Sequence, residues 1–385
     1  MDYALAERPK MPGLRTAGAF TFGIEEEYFL VDAGTKSLVR NMPQAFFEAA
    51  KAAADGRISP EFLQPQIEVI SSPHDNMTDA RAELRALRRT ISTVAAEHGL
   101  AILAAGTHPT AAWRSAQQTN KERYDNVMHD LQMIGQRDLL CGLHVHVELP
   151  DPDQRIDVMY RMLPYLPLFL ALSTSSPFWQ SRRTGLKGYR LAAYDELPRT
   201  GVPDLFRTQE EFDAYVTALV RAGVIADSSY LWWAIRPSLL NPTLELRAPD
   251  SCTLVEDAIA IAALYRTLAR HLYVNPWHNA DLDAVARAII VENKWQAQRY
   301  GVHATFAAEE GAMTVAEMVE RVICDTAADA AALGCTAEIN RCRAIVGSGT
   351  SADAQLTVFE AHIQSGNPGT ALRAVTEWIA AATLQ

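Results

Sequence analysis

Gly23-Ile24-Glu25-Glu26-Glu27-Tyr28-Phe29-Leu30-Val31 decides the fold, because three consecutive carboxylates stand inside a run that otherwise reads as a β-strand. The Tyr28 to Val31 run after Gly23 favours extended backbone, and Asp32 and Gly34 end it. Side chains alternate along a strand, so Glu25 and Glu27 share one face while Ile24, Glu26 and Tyr28 share the other. Two carboxylates held a few ångströms apart raise each other's pKa unless something positive stands between them, and a divalent cation is the usual answer. Taken alone, such a pair reads as a solvated acidic face. Other residues in the chain change that reading.

Pro60 to Pro73 reads PEFLQPQIEVISSP, which places Gln66, Glu68 and Ile70 on one strand face. Glu68 sits amid apolar residues and needs a partner, either a cation shared with Glu25 and Glu27 or an arginine. The segment Leu139 to Leu149 alternates His144, His146 and Glu148 against Val145 and Val147. Two imidazoles then share a face, as metal or phosphate contacts require, and Gly142 before them permits close approach. Ile235 to Arg236 and Thr243 to Ala248 form another strand pair around Asn241-Pro242. Its Glu245 and Arg247 share a face, where Glu can bind a cation and Arg a phosphate oxygen; a surface ion pair is the alternative. The loop from Ser175 carries Arg182, Arg183, Lys187 and Arg190, a local positive cluster that suggests an anion site or else a solvated loop.

Composition sets the limits. The 385 residues are 49% hydrophobic and 21% charged, ordinary values for a globular protein with ample core material. A formal net charge of -11 argues against nucleic acid or an anionic membrane as partner. Five cysteines without Cys-x-x-Cys spacing argue against a disulfide framework and a structural zinc site, which suits a reducing cytoplasm. Residues 1–18 contain no apolar signal-peptide core and read as a frayed lead-in. The apolar run Met162 to Trp179 is broken by Pro164, Pro167 and Pro177, so it reads as a buried helix turning into a loop rather than a membrane span.

Thr78 to His98 repeats Ala80, Leu84, Leu87, Ile91 and Val94 at helical spacing, and Ala101 to Ala105 reads as a buried strand. From Thr253 onward the pattern is helical almost throughout, with breaks at Asn275-Pro276, Gly334, Gly347-Ser348-Gly349 and Gly366 to Gly369. The expected class is α+β: a largely antiparallel sheet covered by helices, with residues 19–252 as the catalytic core and 253–385 as a helical layer on the same fold. No Walker-type loop, dinucleotide fingerprint or Gly-x-Ser-x-Gly elbow occurs, so any nucleotide must be held by metal-bridging carboxylates and arginines. A carboxylate-rich face suits magnesium or manganese.

GIEEEYFLVD, EFLQPQIEVISSP, GTHP at Gly106 to Pro109, GLHVHVELP, SSPFWQSRRTGLKGYR, IRPS at Ile235 to Ser238, TLELRAPD and NKWQAQRYG at Asn293 to Gly301 occur in this order. Together they resemble the carboxylate-amine ligase family, the glutamate-cysteine ligase type 2 proteins of bacteria. The resemblance implies a glutamine-synthetase-like fold, in which a curved antiparallel sheet forms a cup lined by metal-binding carboxylates, and ATP-dependent amide bond formation. It implies Glu25, Glu27, Glu68 and Glu245 as cation ligands, His144 beside metal and nucleotide, Arg247 as a phosphate contact and Glu61 as an acidic site position. One departure stands out: after Trp179 the family commonly has Gly-Arg-Asp-Thr-Gly, whereas Ser181 and Arg183 replace the Gly and the Asp here, in a loop expected to help choose the amino acid.

The expected activity is a carboxylate-amine ligase, a weak glutamate-cysteine ligase, that uses ATP and magnesium to convert a carboxylate to an acyl phosphate that an amine attacks. Glu27 and Arg247 are the expected catalytic residues; Glu25, Glu27, Glu68, His144 and Glu245 the metal ligands; His146, Arg182, Lys187, Arg190, Arg236, Arg247 and Glu61 the nucleotide and substrate contacts. The expected partners are amino acids and ATP, with a homodimer as a family-level expectation. Two rivals are a metal-dependent hydrolase that activates water with His144, His146 and Glu27, and a catalytically weak nucleotide-binding protein.

Overall fold

The computed structural model describes residues 20–309, 311–364 and 366–385; the lead-in expected over residues 1–18 lies outside them. The first strand, β1 (Phe22–Asp32), runs through the middle of a seven-stranded sheet. Helix α1 (Gln44–Ala53) leads to β2 (Ile58–Pro60) and β3 (Gln66–Ile70), then α2 (Met77–Glu97) and β4 (Leu100–Leu103). After helix α3 (Glu122–Leu131) comes β5 (Leu143–Glu148), and the strands Ile235–Pro237 and Thr243–Leu246 complete the sheet. Every pairing in it is antiparallel: β3 lines one edge of β1, β5 the first half of the other edge and β4 the second half.

The two sheet faces obey different physics. Behind the sheet, Ile24, Val145, Val147, Leu244 and Leu246 pack with Ile259, Ala260 and Ala263 of the Val255–Val274 helix in one buried cluster. Tyr28, Leu30, Ile67 and Val69 pack likewise on α1 and α2 through Phe46, Ala50, Ile91 and Val94. Each Val, Leu or Ile buried there contributes about 1.5–3 kcal/mol, and that apolar back offsets the cost of a charged front. The helix α2 begins at Asn76, whose side chain accepts the Asp79 N–H, and buries all five residues of the expected apolar stripe.

Several boundaries differ from expectation for identifiable reasons. The strand expected from Leu139 starts at Leu143, because the Cys141 N–H bonds to Gly106 and the Gly142 N–H to the Glu27 side chain instead of a neighbouring strand. The helical C-terminal region is interrupted by a hairpin, Thr305–Ala308 with Gly311–Thr314, whose Ala307 is clamped on both backbone groups by the Asn293 side chain at 2.8 and 2.9 Å. That side chain comes from the preceding helix, so no local pattern announces the hairpin. Among the described residues no helix is long and apolar enough to cross a membrane.

His108 of the Gly106 to Pro109 motif illustrates how burial fixes a charge state. It is 1% exposed, its Nδ1 accepts the Thr110 and Ala111 N–H groups, and its Nε2 therefore donates to the Lys36 carbonyl at 3.0 Å. Burial pushes its pKa down to about 4, although the Lys36 bond opposes the shift. An unfolded histidine titrates near ~6.5, so the native state resists protonation: stability is whole above that value and is lost as pH falls toward 4. The full effect is about 3 kcal/mol. We expect His108→Gln to flatten the fall in unfolding free energy between these pH values; parallel wild-type and variant profiles in urea titrations would remove His108 as the cause.

Candidate active site

Strand register assembles the site. On the front of the sheet Glu27 stands opposite Glu68, Glu25 opposite His144, and His146 opposite Glu245, which in turn faces Arg236. Side chains that are far apart in sequence thus form one diagonal row across five strands, because cross-strand partners lie within about 5.5 Å of each other. Glu25, Glu27, Glu68, His144, His146 and Glu245 are all buried.

The row offers donor atoms in three overlapping sets, each within 4.8 Å: Glu25 with His146 and Glu245, Glu25 with Glu68 and His144, and Glu27 with Glu61 and Glu68. Imidazole contacts around Glu25 are long, with His144 Nδ1 at 3.5 Å and His146 Nε2 at 3.3 Å. They lack hydrogen-bond geometry, so Glu25 Oε2, His144 Nε2 and His146 Nε2 are buried without a partner among the described residues. Orphaned oxygen and imidazole donors at this spacing fit a hard divalent cation, which would satisfy them.

Electrostatics follow the same geometry. Burial works to raise the Glu25 pKa, but the His146 and His144 imidazoles beside it hold it well below the usual carboxylate range. Glu245 is likewise held low, since Arg236 and Arg247 outweigh its burial. Glu27 is pushed the other way, to about 8, by burial and the nearby Glu61. His144 falls to about 3 through burial and the adjacent Arg247, whereas His146 rises because Glu25 and Glu245 overcome its burial. The row therefore mixes anionic and neutral donors.

Beside this row lies a cavity lined by Glu27, Glu61, Arg190, Arg236 and Arg247. Arg236 grips Glu245 through Nε at 2.8 Å and Nη2 at 3.3 Å and also donates to the Ser229 and Leu231 carbonyls. Arg247 pairs with Glu245 as well, and its Nε has no partner. Arg190 reaches the site because Gly142 leaves room: a Cβ there would lie 2.2 Å from the Arg190 Nη2.

Two of the expected nucleotide or substrate contacts lie away from this cavity. Arg182 is exposed in a short ribbon and Lys187 pairs with Asp353 of the Ser351–Ile363 helix; neither lines the cavity. Arg183, which replaces the family's Asp, pairs with Glu360 of that same helix. Two of this loop's charges, Arg183 and Lys187, are thus committed to the C-terminal layer, and only Arg190 of the basic cluster reaches the cavity. Asp138 and Tyr194 are among the cavity residues that sequence reasoning missed. Burial and the nearby Glu61 push the Asp138 carboxyl up to about 7. Neither belongs to a spacing pattern, so the sequence carried no signal for them.

Comparison with known proteins accords with this geometry. The family described as "Glutamate-cysteine ligase family 2(GCS2)" matches residues 21–375. A Bradyrhizobium sp. (strain ORS 278) protein named "Putative glutamate--cysteine ligase 2" is 56% identical over 365 residues, 95% of this chain and 88% of that protein. Among solved structures, the glutamate-cysteine ligase of Francisella tularensis in complex with AMP superposes with a TM-score of 0.65 at 15% identity, covering 96% of this chain and 90% of that one. A bifunctional glutathione synthetase from Pasteurella multocida gives 0.71 at 16% identity over 94% of this chain. This chain spans about half of that longer protein, 53%, and at such identities the two structures speak for the fold alone. The match over residues 21–375 and the 56% identical relative show that this chain belongs to the glutamate-cysteine ligase family 2.

Proposed function

We propose that the protein joins a carboxylate to an amine with ATP, with glutamate as the carboxylate donor and cysteine or another amine as the nucleophile. The observation that carries this reading is the convergence of Glu25, Glu27, Glu68, His144 and Glu245 on shared donor sets beside an arginine-lined cavity. The family relationship and the AMP found in the Francisella enzyme support it. Magnesium or manganese held by those five residues, with Glu61 and His146 at the margins, would offset charge on the transferring phosphoryl group.

The chain's own residues supply positioning. The γ-phosphoryl group of ATP passes to a carboxylate oxygen of glutamate and ADP leaves; the amine then attacks the acyl carbon, phosphate departs and the ammonium proton is released. Arg247, anchored on Glu245, would bind a phosphoryl oxygen through donors left over from that pair. Arg236 fixes the orientation of Glu245 through its paired contacts and is itself fixed by two backbone carbonyls. No covalent enzyme intermediate is needed, and the cysteine nearest the row, Cys141, is buried with its thiol pKa raised well above its usual value.

The hydrolase alternative is not favoured. Its two imidazoles fall into different donor sets, His146 with Glu245 and His144 with Glu68, so they do not share one candidate zinc position. Purified protein with glutamate, cysteine, ATP and magnesium is expected to release ADP only when both amino acids are present. If no pair of amino acids stimulates ADP formation with either magnesium or manganese, the ligase reading falls.

A further inference from the structure

Two charged groups of the cavity, Arg190 and Asp138, stand outside the donor sets. Arg236 and Arg247 both pair with Glu245. Arg190 does not: it is 3% exposed, its guanidinium donates only to the Arg247 and Pro249 carbonyls at 3.3 and 3.1 Å, and its Nε has no partner. Among the described residues no carboxylate lies within ion-pair distance of it. On the same cavity wall Asp138 belongs to none of the three donor sets, and its carboxylate makes no ion pair or hydrogen bond with any described residue. The two stand too far apart to pair with each other.

Both groups are held in place rather than free to collapse together. The Arg190 backbone N–H donates to Ser176 Oγ at 2.9 Å, and Ser176 is in turn fixed by Asp250 at 2.7 Å. Its side chain passes over Gly142 and lies 5.7 Å from the ring centre of Tyr194, another cavity residue. Asp138 sits at the end of a turn, its N–H bonded to the Gly135 carbonyl, just before the buried Leu139 and Leu140. Leaving opposite charges unpaired in a partly desolvated cavity is costly unless a ligand completes both. A plain carboxylic acid could complete only one of them; an α-amino acid carries both complements on one carbon.

We propose that Asp138 and Arg190 are the two poles of a zwitterion site, Asp138 receiving the α-ammonium and Arg190 the α-carboxylate of the amino acid whose side-chain carboxylate is phosphorylated. This rests on the ligase reading for the choice of amino acid. The poles hold the α-carbon end, leaving the side-chain carboxylate free to face Glu27 and Arg247, which line the same cavity. Selection for glutamate over its deaminated analogue glutarate is then built into the cavity, because a half-buried pole left without its complement penalises the wrong ligand.

The test compares L-glutamate with glutarate by calorimetric titration of the whole protein in magnesium and a non-hydrolysable ATP analogue, alongside ADP-release kinetics. The wild type is expected to bind glutamate about 100-fold more tightly than glutarate. Asp138→Asn is expected to raise the glutamate Kd and KM to within a few-fold of the glutarate values, with a much smaller change in kcat. Arg190→Gln is expected to weaken both ligands about equally. Wild-type preference in binding without any ADP release would retain this site and remove the ligase reading. Equal wild-type affinity for the two acids, no binding of either, or a folded Asp138→Asn protein that keeps the preference would each overturn the proposal; should that variant fail to fold, the wild-type comparison and Arg190→Gln decide.

Discussion

Glu25→Gln should lower ADP-forming turnover by about 1000-fold while leaving a folded protein. Glu25 belongs to two of the three donor sets, with His146 and Glu245 in one and with Glu68 and His144 in the other, so its charge serves more than one cation position. Glutamine keeps the shape and one oxygen but removes the anion that a hard cation prefers. The fold should survive because Glu25 faces the front of the sheet, away from the apolar cluster behind it, and its burial opposes its own charge. The loss of metal should also appear without turnover. At 100 times Kd, manganese would stabilise the wild type by about 2.7 kcal/mol, a gain that the variant should largely forfeit. His146→Gln, which touches a single donor set, should cost about tenfold. A Glu25→Gln enzyme that keeps more than about a tenth of wild-type turnover would take Glu25 out of the reaction.

How much of this site was legible beforehand depended on range. Period-two alternation places Glu25 and Glu27 on one face and Glu245 and Arg247 on another, because that rule acts within a strand. It cannot say that Glu27 meets Glu68, or Glu25 meets His144, since register is set by which residues bury their backs together. The ordered motifs supplied that missing long-range information through resemblance. The basic loop shows the converse failure: Arg183 and Lys187 looked like part of an anion site only because their partners, Glu360 and Asp353, lie more than a hundred residues later. Asp138 was invisible for a simpler reason, as a single acid between Arg137 and Leu139 matches no periodicity.

The fold divides in the same way. The α2 stripe, the helix breaks at Asn275-Pro276 and Gly334, and the buried helix before Trp179 follow from local propensity and turn chemistry, and each is found within a few residues of its expected place. The Thr305–Ala308 hairpin does not, because the Asn293 side chain supplies its clamp from outside the segment. Nor did the sequence disclose what becomes of Glu26, the middle acid of the opening stretch. Alternation turned it away from the donor row, toward an apolar face where an unpaired carboxylate could not stay charged.

Its partner is Arg88 of α2, and Arg88→Met should be strongly destabilising. Both side chains are almost wholly buried, at 0% and 1% exposure. Arg88 uses all five of its N–H donors: Nε and Nη2 take the two Glu26 oxygens at 2.9 and 2.6 Å, Nη2 also reaches the Cys252 carbonyl, and Nη1 bonds to the Thr253 and Thr383 carbonyls. One guanidinium therefore ties the back of β1 to the loop that opens the Val255–Val274 helix and to the C-terminal end of the chain. Methionine matches the length and loses every donor, leaving Glu26 with only the Tyr28 hydroxyl and three carbonyls unsatisfied. Removing one member of a buried pair costs about 3–5 kcal/mol, since the remaining charge stays desolvated. Removing both is different in kind. Arg88→Met with Glu26→Leu should recover part of that loss, because the uncompensated charge is gone and only neutral groups, the three carbonyls and the Tyr28 hydroxyl, lose their partner. Urea unfolding of the single and double variants measures the difference directly. If Arg88→Met loses less than about 1 kcal/mol, or the double variant is no better than the single, the pair is not what holds the donor strand against its helices.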